Sequence, residues 1–449
     1  MNKRRHVMKE LYIVDLKERV NLDTKIVLLG WVKAKRKHGK VIFLDICDST
    51  GCIQAVVERA KVIPSDFDVA TKVTPESSIK VEGVLRKKII RTGLAREISV
   101  DRIEIIGLAT IQIFPQPRGE IDIFEPKIQE QLMNNRHFYL RNEKLMAILR
   151  FRHIAMGIIH QWFRNNGFIE ITAPVLTPTP LYEDRSAIPL RVHDQDIFLT
   201  QCVGFYLESA VHAFEKVYNI GPSFRGEESK SKRHLMEYWH LKAEVAFGNL
   251  DDIMYIVESL IKDVTQRCCE EAGELLKTLG SILCDAGKDT PYDRISYTEA
   301  VSLLQRNGFE FEFGKSLGTE EEAFLSNHFQ KPFWVIGIPR SVEPFPYVIN
   351  PNDPRVTKTA DLIATEGFGE ILGVAEKIHD LAMLDERMKE KGKLGNPQYE
   401  WLRDLRQYGC VPHIGFGMGI ERFIRWLLRI PHVRDTIPFF RTFGRKVAP

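Results

Sequence analysis

Residues 223–247 read SFRGEESKSKRHLMEYWHLKAEVAF and gather side chains suited to a charged ligand. Arg225 and Glu227 stand before a basic, polar loop, and Arg233, His234 and Tyr238 follow it. Read as a hairpin, with Arg225 and Glu227 on one strand face and the other three on the returning strand, the stretch has the means to clamp a triphosphate between guanidinium groups. It can also stack a purine on an aromatic ring and read an amino group with a carboxylate. A second segment, GFGMGIER at 415–422, passes from a glycine-rich strand into a helix. Its glycines, Gly419 among them, let backbone approach a ligand closely, and Arg422 at the helix start offers phosphate a fixed two-pronged cation. The glycine spacing is not that of a dinucleotide fingerprint, and no βαβ unit with a distant acid follows.

These residues need strands and a helix to hold them. Side chains alternate along a strand, so Lys242 shares a face with Tyr238, His240 and Glu244. Between Leu145 and Phe163 the apolar residues recur at helical spacing, which predicts a helix from Asn142 to Asn166 that runs into a proline-ended strand, GFIEITAPVLTPTP. Further strands, a helix-rich insertion over about 251–315 and more strands precede GFGMGIER. The irregular mixture of strands and grouped helices predicts an α+β fold, not a doubly wound sheet. At the N-terminal end, IVLLGWV, a basic loop at Lys33–Lys40, VIFLDICD, CIQAVVE, SSIKVEGVLRKKI and REISVDRIEII give five short strands. Five strands in about eighty residues suggest a closed barrel of the OB type, a fold whose strand face binds single-stranded nucleic acid. A proline-bearing linker, FPQPRGEIDIFEP, separates the two parts. The expected layout is a barrel at 1–108, a linker at 109–136 and a larger domain at 137–449.

Bulk properties agree with a globular chain of two or three domains: 449 residues, 44% hydrophobic, 27% charged, with no apolar window long enough to cross a membrane. The N-terminal MNKRRHVMKEL carries charge without an apolar core, so no secretion signal is expected. Seven cysteines form no CxxC pair, and their odd number argues against a disulfide framework and for a reducing cytoplasm. The net charge is only +3, so a polyanionic partner has to be met by local patches such as Lys33–Lys40 and Lys87–Arg96.

The chain resembles the class II aminoacyl-tRNA synthetases, and within them the aspartyl/asparaginyl group. FRGE…RHLMEY looks like the family's second motif, GFGMGIER like its third, and the helix ending at Pro174 like its first, which usually builds a dimer interface. TEGFGEILG, YGCVPHIGFGMGIERF and HVRDTIPFFRT lean toward the asparaginyl branch, as do Trp239 after the aromatic and Leu207 where aspartyl enzymes usually place a lysine. The resemblance implies an antiparallel sheet that holds ATP and an amino acid, a homodimer, and an anticodon-binding barrel in front. Carried over by position, Arg225 meets the α-phosphate, Glu227 the adenine amino group, and Tyr238 stacks on the base. Arg233 and His234 sit near the outer phosphates, and Arg422 faces the γ-phosphate and the adenine. Glu370 with Asp361 holds Mg2+. In the barrel, Phe43, Gln54 and Glu97 match positions that stack and read anticodon bases; Phe43 fills the core instead if its strand turns it inward. Cys47 stands where an arginine is common.

The amino-acid half of the resemblance is rewritten. An acid usual near the bound amino acid is Lys242. In TQCVGFYLE a serine and a glutamine have become Cys202 and Gly204, and in GVAEKIHD a glycine has become Val374 and an arginine Lys377. Lys377 is expected to attract a substrate carboxylate at the far end as a point charge. Five exchanges around one pocket point to a changed acyl substrate. Three readings are open: a tRNA ligase of the asparaginyl type, a paralogue that activates a non-standard amino or carboxylic acid for an acceptor other than tRNA, and a non-catalytic tRNA-binding protein. The retained Arg225, Glu227, Glu370 and Arg422 speak against the third; the retained Phe43, Gln54 and Glu97 speak against the second.

Overall fold

A computed structural model describes residues 9–18, 20–90, 93–180, 186–229, 231–280 and 286–447. Two compact units, Met1–Asp122 and Ile123–Pro449, divide the chain. No helix among the described residues is long and apolar enough to cross a membrane.

In the first unit, alternation along five strands sets one face inward. Strands β1 (Lys25–His38), β2 (Val41–Asp48), β3 (Gly51–Glu58), β4 (Ser78–Ile90) and β5 (Gly93–Gly107) close into a barrel in the order β1-β2-β3-β5-β4. Leu28, Ile42, Leu44, Ala55, Val81 and Ile98 are fully buried inside it. Their neighbours Phe43, Asp45, Gln54 and Glu97 alternate outward and are half-buried. The basic stretch expected to be a loop is strand as far as His38. Its backbone pairs with β2 through Arg36 opposite Phe43 and His38 opposite Val41, a ladder indifferent to side-chain charge, and the turn falls at Gly39, where φ is 59°.

The cysteine expectation also needs correction. Register places Cys47 directly opposite Cys52 across β2 and β3, and the two are joined as a disulfide. An odd total says nothing about one pair that a hairpin brings together. Cys202, Cys268, Cys269 and Cys410 are thiols outside that bond; Cys284 and residues 91–92 of the second basic patch lie outside the described residues.

The second unit is built on an eight-stranded sheet, with a smaller one of β7 (Leu176–Thr177), β8 (Ile188–Val192) and β9 (Gln195–Leu199). The large sheet uses β6 (Ile169–Glu170), β10 (Lys216–Phe224), β11 (Glu237–Ala246), β12 (Asp293–Ser296), β13 (Phe333–Ile336), β14 (Thr359–Ala364), β15 (Gly369–Lys377) and β16 (His413–Gly419). Their order is β12-β13-β14-β15-β16-β11-β10-β6, antiparallel except at the two edge pairs. The predicted helix forms over Glu143–Asn165, started by Asn142, whose side chain accepts from the N–H groups of Lys144 and Leu145. Its apolar side packs on one sheet face, where Phe163 stacks on Tyr218 at 4.3 Å and reaches Phe416 at 6.4 Å. The helix Leu250–Glu271 packs beside it, started by the Asn249 capping box. Within the segment expected to be a helix-rich insertion, β12 returns to the edge of the main sheet. The other sheet face is left for a ligand.

Candidate active site

The hairpin strands end earlier than the sequence suggested. Pairing of β10 with β11 stops at Phe224 opposite Glu237, so Arg225, Glu227, Arg233 and His234 lie on the connecting loop and not on strands. Local hydrogen bonds hold the loop instead: the Ser229 and Ser231 hydroxyls lie 2.9 and 2.5 Å from His234 Nδ1. Tyr238 alone of the group is on β11.

Two cavities lie on the ligand face. Arg225, Arg233, His234, Tyr238, Glu370, Gly419 and Arg422 line the first, of about 120 Å³. The Arg225 guanidinium stands 5.9 Å from the centre of the Tyr238 ring, leaving a cation beside an aromatic platform. Arg422 reaches across strands, donating to the Arg233 carbonyl at 3.3 Å and pairing with Glu370 at 3.3 Å. Arg233 grips the buried Glu322 with both terminal nitrogens, so much of its charge is already met. Burial, with Arg422, Arg233 and Arg225 nearby, pushes His234 down to about 4, which leaves it neutral at pH 7. Burial pushes Glu370 up, but Arg422, Arg233 and Arg225 outweigh it and hold the carboxyl below its ordinary value.

The second cavity, of about 360 Å³, shares Arg225, His240, Glu370 and Gly417 with the first. Glu227, Lys242, Glu244, Asp361 and Lys377 line it. Cross-strand register explains the grouping. Lys242, Gly417, Gly373 and Asp361 stand in one row, and Glu244, Gly415 and Ala375 in the next. The motif's glycines clear space for these side chains. A Cβ at Gly417 would lie 2.7 Å from Lys242 Nζ and 2.8 Å from His240 Nε2, and one at Gly415 would lie 2.4 Å from Glu244 Oε2.

Lys377 departs from its expected behaviour. At 4% exposure its ammonium lies 3.3 Å from Glu208 and 3.5 Å from Glu244, while Arg406 holds the other oxygen of Glu208 at 2.8 Å. Burial lowers the Lys377 pKa, but Glu244 and Glu208 outweigh that and raise it above its ordinary value. Two acids already neutralise this lysine, so it is not a free charge awaiting a carboxylate. Burial pushes Glu244 up against the pull of Lys377, and its Oε2 is buried without a hydrogen-bond partner.

Three exchanged positions turn no side chain toward the ligand. Val374 pairs with Phe416 and Ala360 in the row packed toward the helices, so its side chain points away from the ligand face while its backbone edges the cavity. Cys202 is buried with Phe205, Phe345 and Tyr399. Gly204 opens the helix Gly204–Phe214, its N–H donating to Cys202 Sγ at 3.3 Å. Neither of the last two lines either cavity.

Asp361 and Glu370 fit a divalent cation. Burial and the neighbouring Glu370, Glu343 and Glu322 push Asp361 well above the ordinary carboxylate range, a repulsion that a cation would relieve. No cluster of three or more metal-ligating side chains occurs among the described residues.

On the barrel, Phe43 faces outward opposite Arg36 and Val56. Gln54 and Glu97 are register partners, and Lys88 joins them, donating to Gln54 at 2.5 Å and lying 4.0 Å from Glu97. Arg36 pairs with Asp45 at 3.0 Å beside them, so the outer face is a row of polar side chains next to one aromatic.

Motif reading gave no role to His240, Glu322 or Arg406, and named Glu208 and Glu244 as acids able to pair with Lys242; both lie against Lys377. Alternation from Lys242 marked His240 and Glu244 as facing the pocket. Nothing in spacing links Glu322 to Arg233 or Arg406 to Glu208, since they meet only through the fold.

A chain with this sheet, this loop and this barrel matches known families along most of its length. The family described as tRNA synthetases class II (D, K and N) matches residues 128–442, and the OB-fold nucleic acid binding domain family matches residues 26–106. The protein belongs to the class II tRNA synthetases. More narrowly, it is an aminoacyl-tRNA ligase similar over its whole length to asparaginyl-tRNA synthetases. It is 36% identical over 440 residues to the asparagine–tRNA ligase of Pyrococcus abyssi, covering 98% of this chain and 99% of that one. To that of Desulforamulus reducens it is 36% identical over 427 residues, covering 95% and 97%. A crystal structure of Pyrococcus horikoshii asparaginyl-tRNA synthetase complexed with asparaginyl-adenylate superposes with a TM-score of 0.89 at 35% identity, covering 98% of this chain and 100% of the other.

Proposed function

We propose that the chain uses ATP to activate an amino acid as its adenylate and transfers the aminoacyl group to tRNA, and that it activates asparagine and aspartate poorly in favour of another acid. A carboxylate oxygen attacks the α-phosphorus in line and pyrophosphate leaves; a ribose hydroxyl of the tRNA end then attacks the acyl carbon and AMP leaves. Such chemistry needs alignment and charge neutralisation more than a base. Arg225, placed at the junction of the two cavities, neutralises the reacting phosphate, Arg422 and His234 bind the outer phosphates, and Tyr238 stacks on the purine while Glu227 reads it. Mg2+ held by Asp361 and Glu370 would supply further charge neutralisation on the phosphates. Phe43, Gln54 and Glu97 receive splayed anticodon bases. The helix Glu143–Asn165 and the segment to Pro174 form a homodimer interface, and the cytoplasm is the compartment.

The observation that carries the changed acid is Lys242. Its ammonium and the His240 ring stand together over Gly417, where the two cavities share their lining. A lysine offers donors and no acceptor, so whatever else it touches it cannot receive an α-ammonium. The test is ATP–pyrophosphate exchange with asparagine, aspartate and a panel of other acids. Robust exchange with asparagine at millimolar concentration would make the protein an ordinary asparaginyl-tRNA synthetase and end this reading.

A further inference from the structure

Lys88 belongs to the outer face of the barrel. On β4 it stands two residues from Arg86, the register partner of Glu97, so strand alternation puts it on the side that carries Glu97 and Gln54. Its ammonium donates to Gln54 Oε1 at 2.5 Å and lies 4.0 Å from Glu97, with its side chain 31% exposed. An ammonium has donors and no acceptor, so Gln54 can turn only its carbonyl oxygen toward it. The NH2 of the same amide must then point the other way. Among the described residues no hydrogen bond reaches that NH2: Asp45, its register neighbour on β2, pairs with Arg36 at 3.0 Å instead. Glu97, beside it on β5, offers acceptors only, and no described residue comes nearer to its carboxylate as an ionic partner than Lys88. A donor and an acceptor therefore stand side by side, two residues along the strand from Val56, the partner of Phe43.

That pair complements one kind of base edge. Uracil and guanine present a keto oxygen next to a ring N–H, so Gln54 donates to the oxygen and Glu97 accepts from the N–H. Cytosine and adenine present an amino group next to a bare ring nitrogen; against them donor meets donor and acceptor meets acceptor. With the amide turned over, Gln54 and Glu97 would both accept, and an amino base would gain a partner. Lys88 forbids that turn.

We infer that Lys88 is a positioning residue for tRNA selection: by holding the Gln54 amide in one orientation, it makes the barrel choose keto bases over amino bases. The inference rests on the reading above that Gln54 and Glu97 receive splayed bases, and it adds the residue that sets which end of Gln54 meets them.

The probes are RNA hairpins that differ only in their loop bases, uridine against cytidine and inosine against adenosine, titrated with the full chain by fluorescence anisotropy. Each pair keeps the ring size and exchanges the keto edge for the amino edge. The wild type should bind the uridine and inosine loops about tenfold or more tighter than their amino counterparts, as a two-bond base contact discriminates. Lys88→Met also loses a cation, so it should bind every hairpin more weakly, but its keto-to-amino ratio should fall below about threefold. Lys88→Arg, which likewise only donates, should keep the wild-type ratio. Gln54→Glu has no NH2 and should prefer the amino loops; if circular dichroism shows Lys88→Met unfolded, the ratio in Gln54→Glu decides the matter. A uniform loss of affinity in folded Lys88→Met with the ratio unchanged would make Lys88 a phosphate contact only and overturn the inference. A wild-type preference for the amino loops would overturn it too, and both of these results leave the barrel an RNA binder. Binding of no hairpin at all would remove the barrel from the proposed function and take the inference with it.

Discussion

Glu208→Gln tests the buried network beneath the second cavity. Glu208 is 0% exposed, with Arg406 at 2.8 Å on one oxygen and Lys377 at 3.3 Å on the other. The substitution keeps the shape, removes one negative charge and leaves Lys377 with Glu244 and Arg406 with the Ile378 and Leu402 carbonyls. Deleting one partner of a buried ion pair costs about 3–5 kcal/mol. The amide still accepts from one cation, so the lower end, about 3 kcal/mol, is expected. Urea unfolding followed by tryptophan fluorescence reads it, because Trp162, Trp334 and Trp426 are buried in the second unit. The pH dependence gives a second reading. Burial pushes the Glu208 carboxyl up, yet Arg406 and Lys377 hold it well below its ordinary 4.5. The unfolded chain therefore binds the proton first as pH falls. The stability this group contributes is present above 4.5 and is lost as pH drops below it toward the depressed folded value. Glu208→Gln should lose stability less steeply below pH 4.5 than the wild type. A loss under about 1 kcal/mol at pH 7, or an unchanged acid limb, would show that the ion pairs do not hold this end of the pocket together.

Arg225→Ala should cut pyrophosphate exchange by about 100-fold or more, near 3 kcal/mol, with unaltered circular dichroism, since one charge contact made in the transition state is lost; unchanged exchange would remove Arg225 from the reaction. Phe43→Ala should weaken tRNA binding by about 1–3 kcal/mol without affecting exchange in the absence of tRNA, and equal tRNA affinity would give the outer face of the barrel another partner. Light scattering at micromolar concentration should return a dimer; a monomer alone would mean that the helix Glu143–Asn165 buries its sites without a second copy.

Much of the fold was legible because local signals agreed. The apolar spacing from Leu145 to Phe163 fixed the long helix almost to the residue. Alternation in VIFLDICD fixed β2, and alternation from Tyr238 to Glu244 put the pocket residues on one face. What escaped was set by pairing and tertiary contact. Lys33–Lys40 looks like a loop by charge but is held in strand as far as His38 by β2. Cys47 and Cys52 meet only because the hairpin register opposes them. The Glu322 grip on Arg233 joins residues 89 apart, beyond any motif. Val374 was assigned to the pocket by the resemblance; strand parity turns its side chain to the other side. The neutralised state of Lys377 needed Glu208, which sits on a helix far off in sequence.

The most direct test of the function is the mass of what the enzyme attaches to tRNA. Incubate the protein with total tRNA, ATP and a small-molecule extract, digest with ribonuclease, and weigh the terminal adenosine. An ATP-dependent acyl ester on that adenosine whose mass is neither asparaginyl nor aspartyl is the predicted result, lost in Arg225→Ala. Asparaginyl-adenosine, or terminal adenosine that stays unmodified with ATP present, would contradict it.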